Sequence, residues 1–278
     1  MAFEKTAWEP DFPSDEYETR SKRAKDLMEE EKLDALFITG DENYTYFSGH
    51  KTYFQWTSFS RPVFMILPKI QDPSLIVHDL LGYTAQGATW IKDVKTYSKL
   101  SIAPIEIISN LFKDLNISEG RIGMELGYEQ RIGFSYNDLI NLKHTLPEAE
   151  FVDASQLLWN MRTIKSEREV DHIRRSNEIL DRAYQESFPM IKSGMREDDL
   201  ARILYIQMMV QGAEKPGFTV INSRSKEIRI GHPSNQILKE KETIWVDAGC
   251  IFKGYWSDFS RNAVIGSASE IQLSLIHI

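Results

Sequence analysis

The chain has 278 residues, 42% of them hydrophobic, so it can bury ample core, and its length predicts two domains. Its formal net charge of -8, from 33 basic and 41 acidic residues, disfavours nucleic acid and anionic membranes as partners. The first residues contain no apolar signal segment, and no run of about 18 apolar residues follows, so we expect a cytoplasmic protein that does not span a membrane.

The first half of the sequence alternates short apolar runs with helical patterns. Ser14 begins an amphipathic helix after an exposed leader. The predicted strands are Ala35 to Thr39, Val63 to Leu67, Leu75 to Val77, Ile122 to Glu125 and Phe151 to Asp153, and the predicted helices are Ile105 to Leu115 and Tyr136 to Leu146. This alternation predicts an α/β domain over residues 1–160, with a mixed, mostly parallel sheet flanked by helices.

The next segment predicts two helices in succession. Ser166 lies three residues before Glu169, the spacing of a capping box, in which each side chain bonds a free backbone N–H at the start of a helix. A long helix follows, and Gly194 separates it from a second helix, Glu197 to Val210. Two helices ahead of a hairpin give the α+β order of elements.

A predicted β-hairpin from Thr243 to Arg261 carries two aspartates, Asp247 and Asp258. Apolar residues lead into Asp247, and two glycines supply the turn before an extended pattern resumes. Pairing across the turn brings the carboxylates together, and their mutual repulsion is relieved when a cation lies between them. Carboxylate oxygens suit manganese or magnesium, and with added imidazole also cobalt, iron or zinc. The alternative is a hairpin whose aspartates face water or cap a turn.

The motifs around these aspartates resemble the "pita-bread" metallopeptidase family M24, which includes Xaa-Pro dipeptidases, aminopeptidase P, methionine aminopeptidase and creatinase. In that family a His-Pro element precedes a strand ending in Asp-Ala or Asp-Gly, and Gly-Tyr and Ser-Asp follow, then a hydroxyl residue and Arg. The matching residues are His232, Asp247, Gly249, Gly254, Tyr255, Ser257, Asp258, Ser260 and Arg261. Met161 to Val170 resembles the family's entry into its catalytic domain. Asp34 to Thr39 and Asn43 to Gly49 resemble the creatinase and prolidase type of N-terminal domain, which methionine aminopeptidase usually lacks.

The resemblance implies a role for each matched polar residue. Asp247 would bind one metal ion and Asp258 would bridge two divalent ions, with manganese as the expected metal and cobalt, zinc or iron as alternatives. His232 would lie beside the substrate, bind it and help to pass a proton. The implied reaction is hydrolysis of a peptide bond next to proline in a small peptide substrate, by an enzyme that forms a homodimer.

The family completes its metal site with a histidine and two glutamates downstream of the second aspartate. Here only Glu270 and His277 follow Asp258, and neither stands in a family-like motif. We therefore expect residues 161–266 to form the first half of a pita-bread domain and residues 267–278 to be a non-native or unstructured tail. Leu273 to Ile278 resembles the translation of a sequencing adapter. These expectations describe a C-terminally truncated fragment that binds metal weakly and is inactive.

Two other functions remain open from the sequence. The same scaffold supports C–N hydrolases and a lyase that act on a small-molecule substrate other than a peptide. Some pita-bread domains have instead lost their ligands and act as non-catalytic binding modules.

Several other residues have a structural interpretation. The single cysteine, Cys250, is expected to be a small buried residue. His78, His144 and His172 are expected at the surface or partly packed. His50 lies in an aromatic loop, which we expect to be packed on the core, although it could instead face the substrate.

Overall fold

The computed structural model describes residues 10–52, 61–223 and 231–275, and the chain divides into two compact units, residues 1–164 and 165–278. The domain boundaries expected at residues 160 and 266 stay predictions. None of the helices in the described ranges combines the length and apolar character needed to cross a lipid bilayer.

The first unit is the α/β domain that the sequence predicts. Its helices are α1 (Ser14–Glu30), α2 (Asp41–Ser48), α3 (Asp79–Ala88), α4 (Ile105–Asp114), α5 (Tyr136–Thr145) and α6 (Ser155–Thr163). Its strands are β1 (Ala35–Ile38), β2 (Phe64–Pro68), β3 (Ser74–His78), β4 (Asp93–Tyr97), β5 (Arg121–Met124) and β6 (Glu150–Asp153). The seven predicted elements after α1 are thereby confirmed to within one or two residues at their ends.

The sheet of this unit is mixed, with the order β4-β3-β2-β1-β5-β6. Strand β1 is parallel to β5 and antiparallel to β2, β3 is antiparallel to β2 and parallel to β4, and β5 is parallel to β6. Alternate residues of β1 point to opposite faces. Leu36 and Ile38 pack in one core with residues of α1, α2 and α6, whereas Phe37 packs in a second core with residues of α4 and α5. Helices therefore cover both faces, as predicted.

Three elements of the first unit were not predicted from the sequence: α2, α3 and β4. Helix α2 depends on a distant partner, because the backbone N–H groups of Thr39 and Gly40 at its start donate to the Glu125 carboxylate, 2.8 and 2.9 Å away. Helix α3 is capped by the preceding residue, His78, whose Nδ1 accepts a hydrogen bond from the Leu80 backbone. The aromatic loop beyond Thr52 was predicted to pack on the core, and its residues 53–60 lie outside the described ranges.

The second unit has α+β order, with two helices ahead of an antiparallel sheet. Its elements are α7 (Glu167–Ser187), a 3-10 turn (Phe188–Met190), α8 (Glu197–Val210), β7 (Lys215–Asn222), β8 (Thr243–Phe252), β9 (Tyr255–Trp256), β10 (Phe259–Val264) and α9 (Glu270–Ser274). Strand β8 lies between β7 and β10 and also pairs with β9. The capping box of Ser166 and Glu169 is confirmed, as are the bounds of α8. The short helix α9 lies within the expected tail.

Candidate metal centre

Strand β8 has one face against helices and one face that carries polar side chains. Its core face packs with residues of α7 and α8, and the buried residues on it are Ile244, Val246, Ala248 and Cys250. Because successive side chains of a strand point to opposite faces, Trp245 and Asp247 lie on the other face, where both are half-buried. Asp247 therefore stands on the side of the sheet opposite α7 and α8.

The strand register places Asp258 on the same face as Asp247. Asp247 pairs with Ser260 of β10 and with Val220 of β7. Asp258 immediately precedes β10 and lies two residues before Ser260, which is the spacing of residues that share a face. Its side chain is exposed. The hairpin thus presents both predicted metal ligands from neighbouring strands.

The two carboxylates interact electrostatically. Burial, followed by the negative charge of Asp258, raises the pKa of the Asp247 carboxyl. A divalent cation beside both groups would reverse this preference and hold Asp247 ionised. The donor set, two hard carboxylate oxygens on one face, fits such an ion. Within the described ranges, no group of three or more His, Cys, Asp or Glu side chains is placed to hold a metal ion.

Side chains on the helix face fix the geometry of the hairpin. The Tyr184 hydroxyl of α7 donates to the carbonyl oxygens of Val246 and Phe259, at 3.2 and 3.0 Å, and so links β8 to β10. Burial, followed by the charge of Asp247, raises the pKa of Tyr184, so its hydroxyl stays protonated and keeps donating. These two contacts are made to the residues next to Asp247 and Asp258.

The turn between β8 and β10 is held by close backbone approach. The Ser257 hydroxyl accepts a hydrogen bond from the Cys250 backbone at 3.0 Å, and the Ser257 N–H donates to the Cys250 carbonyl at 3.0 Å. A Cβ on Gly249 would lie 2.4 Å from the Ser257 carbonyl oxygen, so only glycine lets the chains approach here. Gly254 has a φ of +81° and its N–H donates to Glu214. This tight packing fixes the position of Asp258 next along the chain.

His232 stands apart from this pair in its contacts. Its side chain is exposed and forms no hydrogen bond or ion pair with another described residue. Ser234, two residues further on, donates through its backbone and its hydroxyl to the Glu197 carboxylate of α8. The structure thus brings Asp247 and Asp258 together, while the role of His232 stays a prediction.

Three residues that contact the segments carrying Asp247, Asp258 or His232 were missed by the sequence reasoning. Tyr184 and Glu197 act through partners distant in sequence, so no local pattern identifies them. Trp256 could have been found, because it lies two residues before Asp258 and therefore on the same face of the strand. It pairs with Ile251, its side chain is 52% exposed, and its ring covers Gly217. The ring therefore lies against strand β7.

The remaining candidates take structural positions. Cys250 is fully buried and its thiol donates to the Ser176 carbonyl, as expected of a packed residue. His50 is buried, which confirms the packed interpretation, and its Nδ1 shares a 2.8 Å hydrogen bond with the Tyr44 hydroxyl. Glu270 is exposed in the first turn of α9, and His277 lies outside the described residues.

Comparison with protein families matches both units. Residues 20–164 match the Creatinase/Prolidase N-terminal domain, and residues 171–278 match Metallopeptidase family M24. The two matches follow the order of the two compact units and include Asp247 and Asp258.

Individual relatives agree with these matches. The chain is 26% identical to an Xaa-Pro dipeptidase of Pyrococcus furiosus over 261 residues, which is 93% of this chain and 68% of that protein. The structure of the prolidase from Pyrococcus horikoshii OT3 superposes with a TM-score of 0.74 at 25% identity, covering 93% of this chain and 68% of that one. The X-Pro aminopeptidase from Thermotoga maritima, at 23% identity and a TM-score of 0.72, shares the fold and has 66% of its chain covered. The chain thus spans about two thirds of the length of these relatives.

The fold, the family matches and the named relatives define a hydrolase of the metallopeptidase class, a class that implies divalent metal ions. The chain belongs to Metallopeptidase family M24, with a creatinase/prolidase N-terminal domain ahead of the metallopeptidase domain.

Proposed function

We propose that this protein is an Xaa-Pro peptidase, of aminopeptidase P or dipeptidase type, that hydrolyses the peptide bond next to proline in small peptides. The names of the Pyrococcus relatives support the substrate class. The observation that carries the proposal is the position of Asp247 and Asp258 on one face, where burial and then the charge of Asp258 raise the pKa of the Asp247 carboxyl.

Asp247 and Asp258 would hold the divalent metal ions. When bound, the ions supply Lewis acidity toward the scissile carbonyl and lower the pKa of a water molecule toward neutrality. The protein's own part is to hold the two carboxylates in place. Tyr184 serves this purpose from the helix side by joining the backbones of β8 and β10 beside both aspartates.

His232 would act on the substrate rather than on the metal ions. Its imidazole is exposed and carries no hydrogen bond to other described residues, so its ring nitrogens are available to a bound peptide. In this role one ring nitrogen donates a hydrogen bond to the substrate and helps to transfer a proton to the departing amine.

The 278-residue chain by itself is proposed to be inactive. Two carboxylates are a small share of the ligands that a dinuclear site needs, and within the described ranges no larger cluster surrounds them. The chain also spans about two thirds of the length of the Pyrococcus dipeptidase. Manganese as the metal, a homodimeric assembly and a cytoplasmic location belong to the same proposal and rest on the family resemblance.

The test uses protein expressed from the complete reading frame, purified without metal and then supplied with manganese. Xaa-Pro dipeptides and short Xaa-Pro peptides should be hydrolysed, while the same peptides with alanine in place of proline should remain intact. Metal analysis should find divalent ions bound. Metal-loaded protein that leaves every Xaa-Pro substrate intact would contradict the proposal, and hydrolysis of a small non-peptide C–N bond would favour the alternative enzyme class.

A further inference from the structure

A single buried carboxylate, that of Glu197 at the first residue of α8, joins two distant points of the chain. Its Oε1 accepts hydrogen bonds from the backbone and hydroxyl of Ser223, at 3.2 and 2.8 Å. Its Oε2 accepts from the backbone and hydroxyl of Ser234, at 3.2 and 2.7 Å. The Glu197 residue is only 6% exposed. Ser223 and Ser234 lie on either side of His232 in the sequence.

The segment after His232 is fastened to the same end of α8 through the backbone. The Glu197 N–H donates to the Gln236 carbonyl at 3.0 Å, and the Asp198 N–H donates to the Ser234 carbonyl at 3.1 Å. An antiparallel bridge joins Arg196 to Ile237. Helix α8 is itself anchored by buried apolar residues, namely Leu200, Ala201, Leu204 and Met208. The attachment point of the segment is therefore rigid.

Only a glutamate satisfies this arrangement of four donors. A carboxylate is purely an acceptor, and each of its oxygens here receives two hydrogen bonds. A glutamine would place an NH₂ group against the backbone N–H of one serine, so that this donor loses its acceptor. An aspartate is shorter by one methylene group, so it could not reach both serines from the same backbone position.

We propose that Glu197 is a positioning residue that fixes the location of His232, acting through Ser234 and without touching the substrate. The inference rests on the proposed function for the importance of His232, but the positioning itself is a property of the chain. His232 has no hydrogen bond of its own to other described residues, so its location follows from the backbone that carries it. Ser234, two residues away, is the nearest point at which Glu197 holds that backbone.

The competing explanation is that Glu197 serves only as a negative charge in the first turn of α8. Asp198 and Asp199 lie in the same turn, and Asp199 accepts a hydrogen bond from the Arg196 backbone as part of a capping box. If helix stabilisation were the whole role, Asp199→Asn would reproduce the effect of Glu197→Gln. Asp199→Asn is therefore the matched control, because it removes one charge from the same turn and leaves both serines untouched.

The first experiment measures positioning without any enzyme assay. Amide hydrogen exchange and the line width of the His232 ring signal are compared in the 278-residue chain, with His232→Gln used to assign the signal. In Glu197→Gln the Ser234 and Leu238 amides should exchange at least ten times faster and the His232 signal should shift or broaden. Asp199→Asn should leave both within twofold. Equal changes in the two variants, or no change in either, would overturn the proposal.

The second experiment measures the consequence for catalysis in protein from the complete reading frame. Glu197→Gln should lower kcat on Xaa-Pro peptides by ten- to a hundredfold with unchanged metal content. His232→Ala combined with Glu197→Gln should be no slower than His232→Ala alone, because the two changes remove the same contribution. Independent, multiplying losses would count against positioning. Should Glu197→Gln fold poorly, Ser234→Ala is measured in its place with the same expected direction; it removes the hydroxyl that donates to Glu197 and accepts from the Gln236 backbone. If the wild type cleaves no Xaa-Pro peptide, the proposed function fails and the exchange experiment alone decides the role of Glu197.

Discussion

Glu125 in the first unit and Asp247 in the second are carboxyl groups whose pKa is raised, in both cases mainly by burial. Their surroundings differ. Glu125 accepts hydrogen bonds from the backbone of Thr39 and Gly40, from the Thr39 hydroxyl and from the Asn43 amide, at 2.8 to 2.9 Å. Asp247 has a second negative charge beside it, that of Asp258. Hydrogen-bond donors compensate the buried charge of Glu125, so this carboxylate stabilises the fold. The charges of Asp247 and Asp258 repel each other, and a bound cation would compensate both.

Replacing Asp247 should have the largest effect, and it should be on catalysis rather than on folding. Asp247→Asn in the complete protein is expected to lower kcat/KM on an Xaa-Pro dipeptide about 10³-fold, or about 4 kcal/mol, because an amide binds metal poorly. The matched control is Asp181→Asn, on the helix side, whose carboxylate pairs with Arg261 at 3.2 Å. The control should stay within about threefold, as expected for a surface ion pair. An Asp247→Asn enzyme with wild-type activity and metal content would remove Asp247 from the site.

Replacing Glu125 should have the opposite pattern, with a loss of stability in the first unit. Glu125→Gln places an NH₂ group against buried donors and should lower the free energy of unfolding by about 3 kcal/mol. Urea unfolding followed by circular dichroism measures this change. The control, Glu148→Gln, alters an exposed glutamate and should shift stability by less than about 0.5 kcal/mol. If Glu125→Gln has the same free energy of unfolding as the wild type, the hydrogen bonds of Glu125 do not stabilise the fold, and the contrast drawn with Asp247 is wrong.

His50 is an intermediate case, since its Nδ1 bonds Tyr44 but its Nε2 has no hydrogen-bond partner among the described residues. Burial lowers the pKa of His50 to about 4, below its usual value near 6.5. Protonation therefore favours the unfolded chain. The contribution of neutral His50 is complete above about pH 6.5 and falls as the pH falls towards 4, by about 2 kcal/mol at pH 5.

Unfolding free energies of wild type and His50→Gln at pH 7 and pH 5 measure this contribution. The variant should lose less stability between the two pH values than the wild type does. His144→Gln, which removes an exposed histidine, should keep the wild-type dependence. An identical pH dependence in His50→Gln and wild type would show that His50 does not titrate in this range.

The smallest expected effect concerns the capping box at the start of a helix. Ser166 and Glu169 form the capping box of α7, and the Ser166 hydroxyl accepts from the Glu169 backbone at 3.2 Å. Ser166→Ala should lower the unfolding free energy of the second unit by about 1 kcal/mol, since water can replace part of the lost bond. Ser269→Ala, in the capping box of the short helix α9, should change it less. Thermal unfolding of the two variants tests this order.

The parts of the molecule that sequence patterns predicted are those with local causes. Helix α8 was placed after Gly194, and the capping box of α7 was predicted from two residues three apart. The expectation that Asp247 and Asp258 lie near each other followed from the alternation of apolar and polar residues and from the turn residues within one hairpin. Helix α2 and the Glu197 contacts were not predicted, because their hydrogen bonds join residues far apart in sequence. No window of the sequence shows which distant donor will reach a given carboxylate.

Cys250 allows the opening of the second unit to be measured without any added label. It is the chain's one cysteine, and its side chain is fully buried beneath the hairpin, next to Ser257. Burial raises the pKa of the thiol, so little thiolate is present for alkylation while the unit is closed. The rate at which a small thiol reagent modifies the native chain therefore reports how often β8 separates from α7. An opening event confined to the first unit leaves that rate unchanged, so the same reagent distinguishes the unfolding of one half of the chain from that of the other.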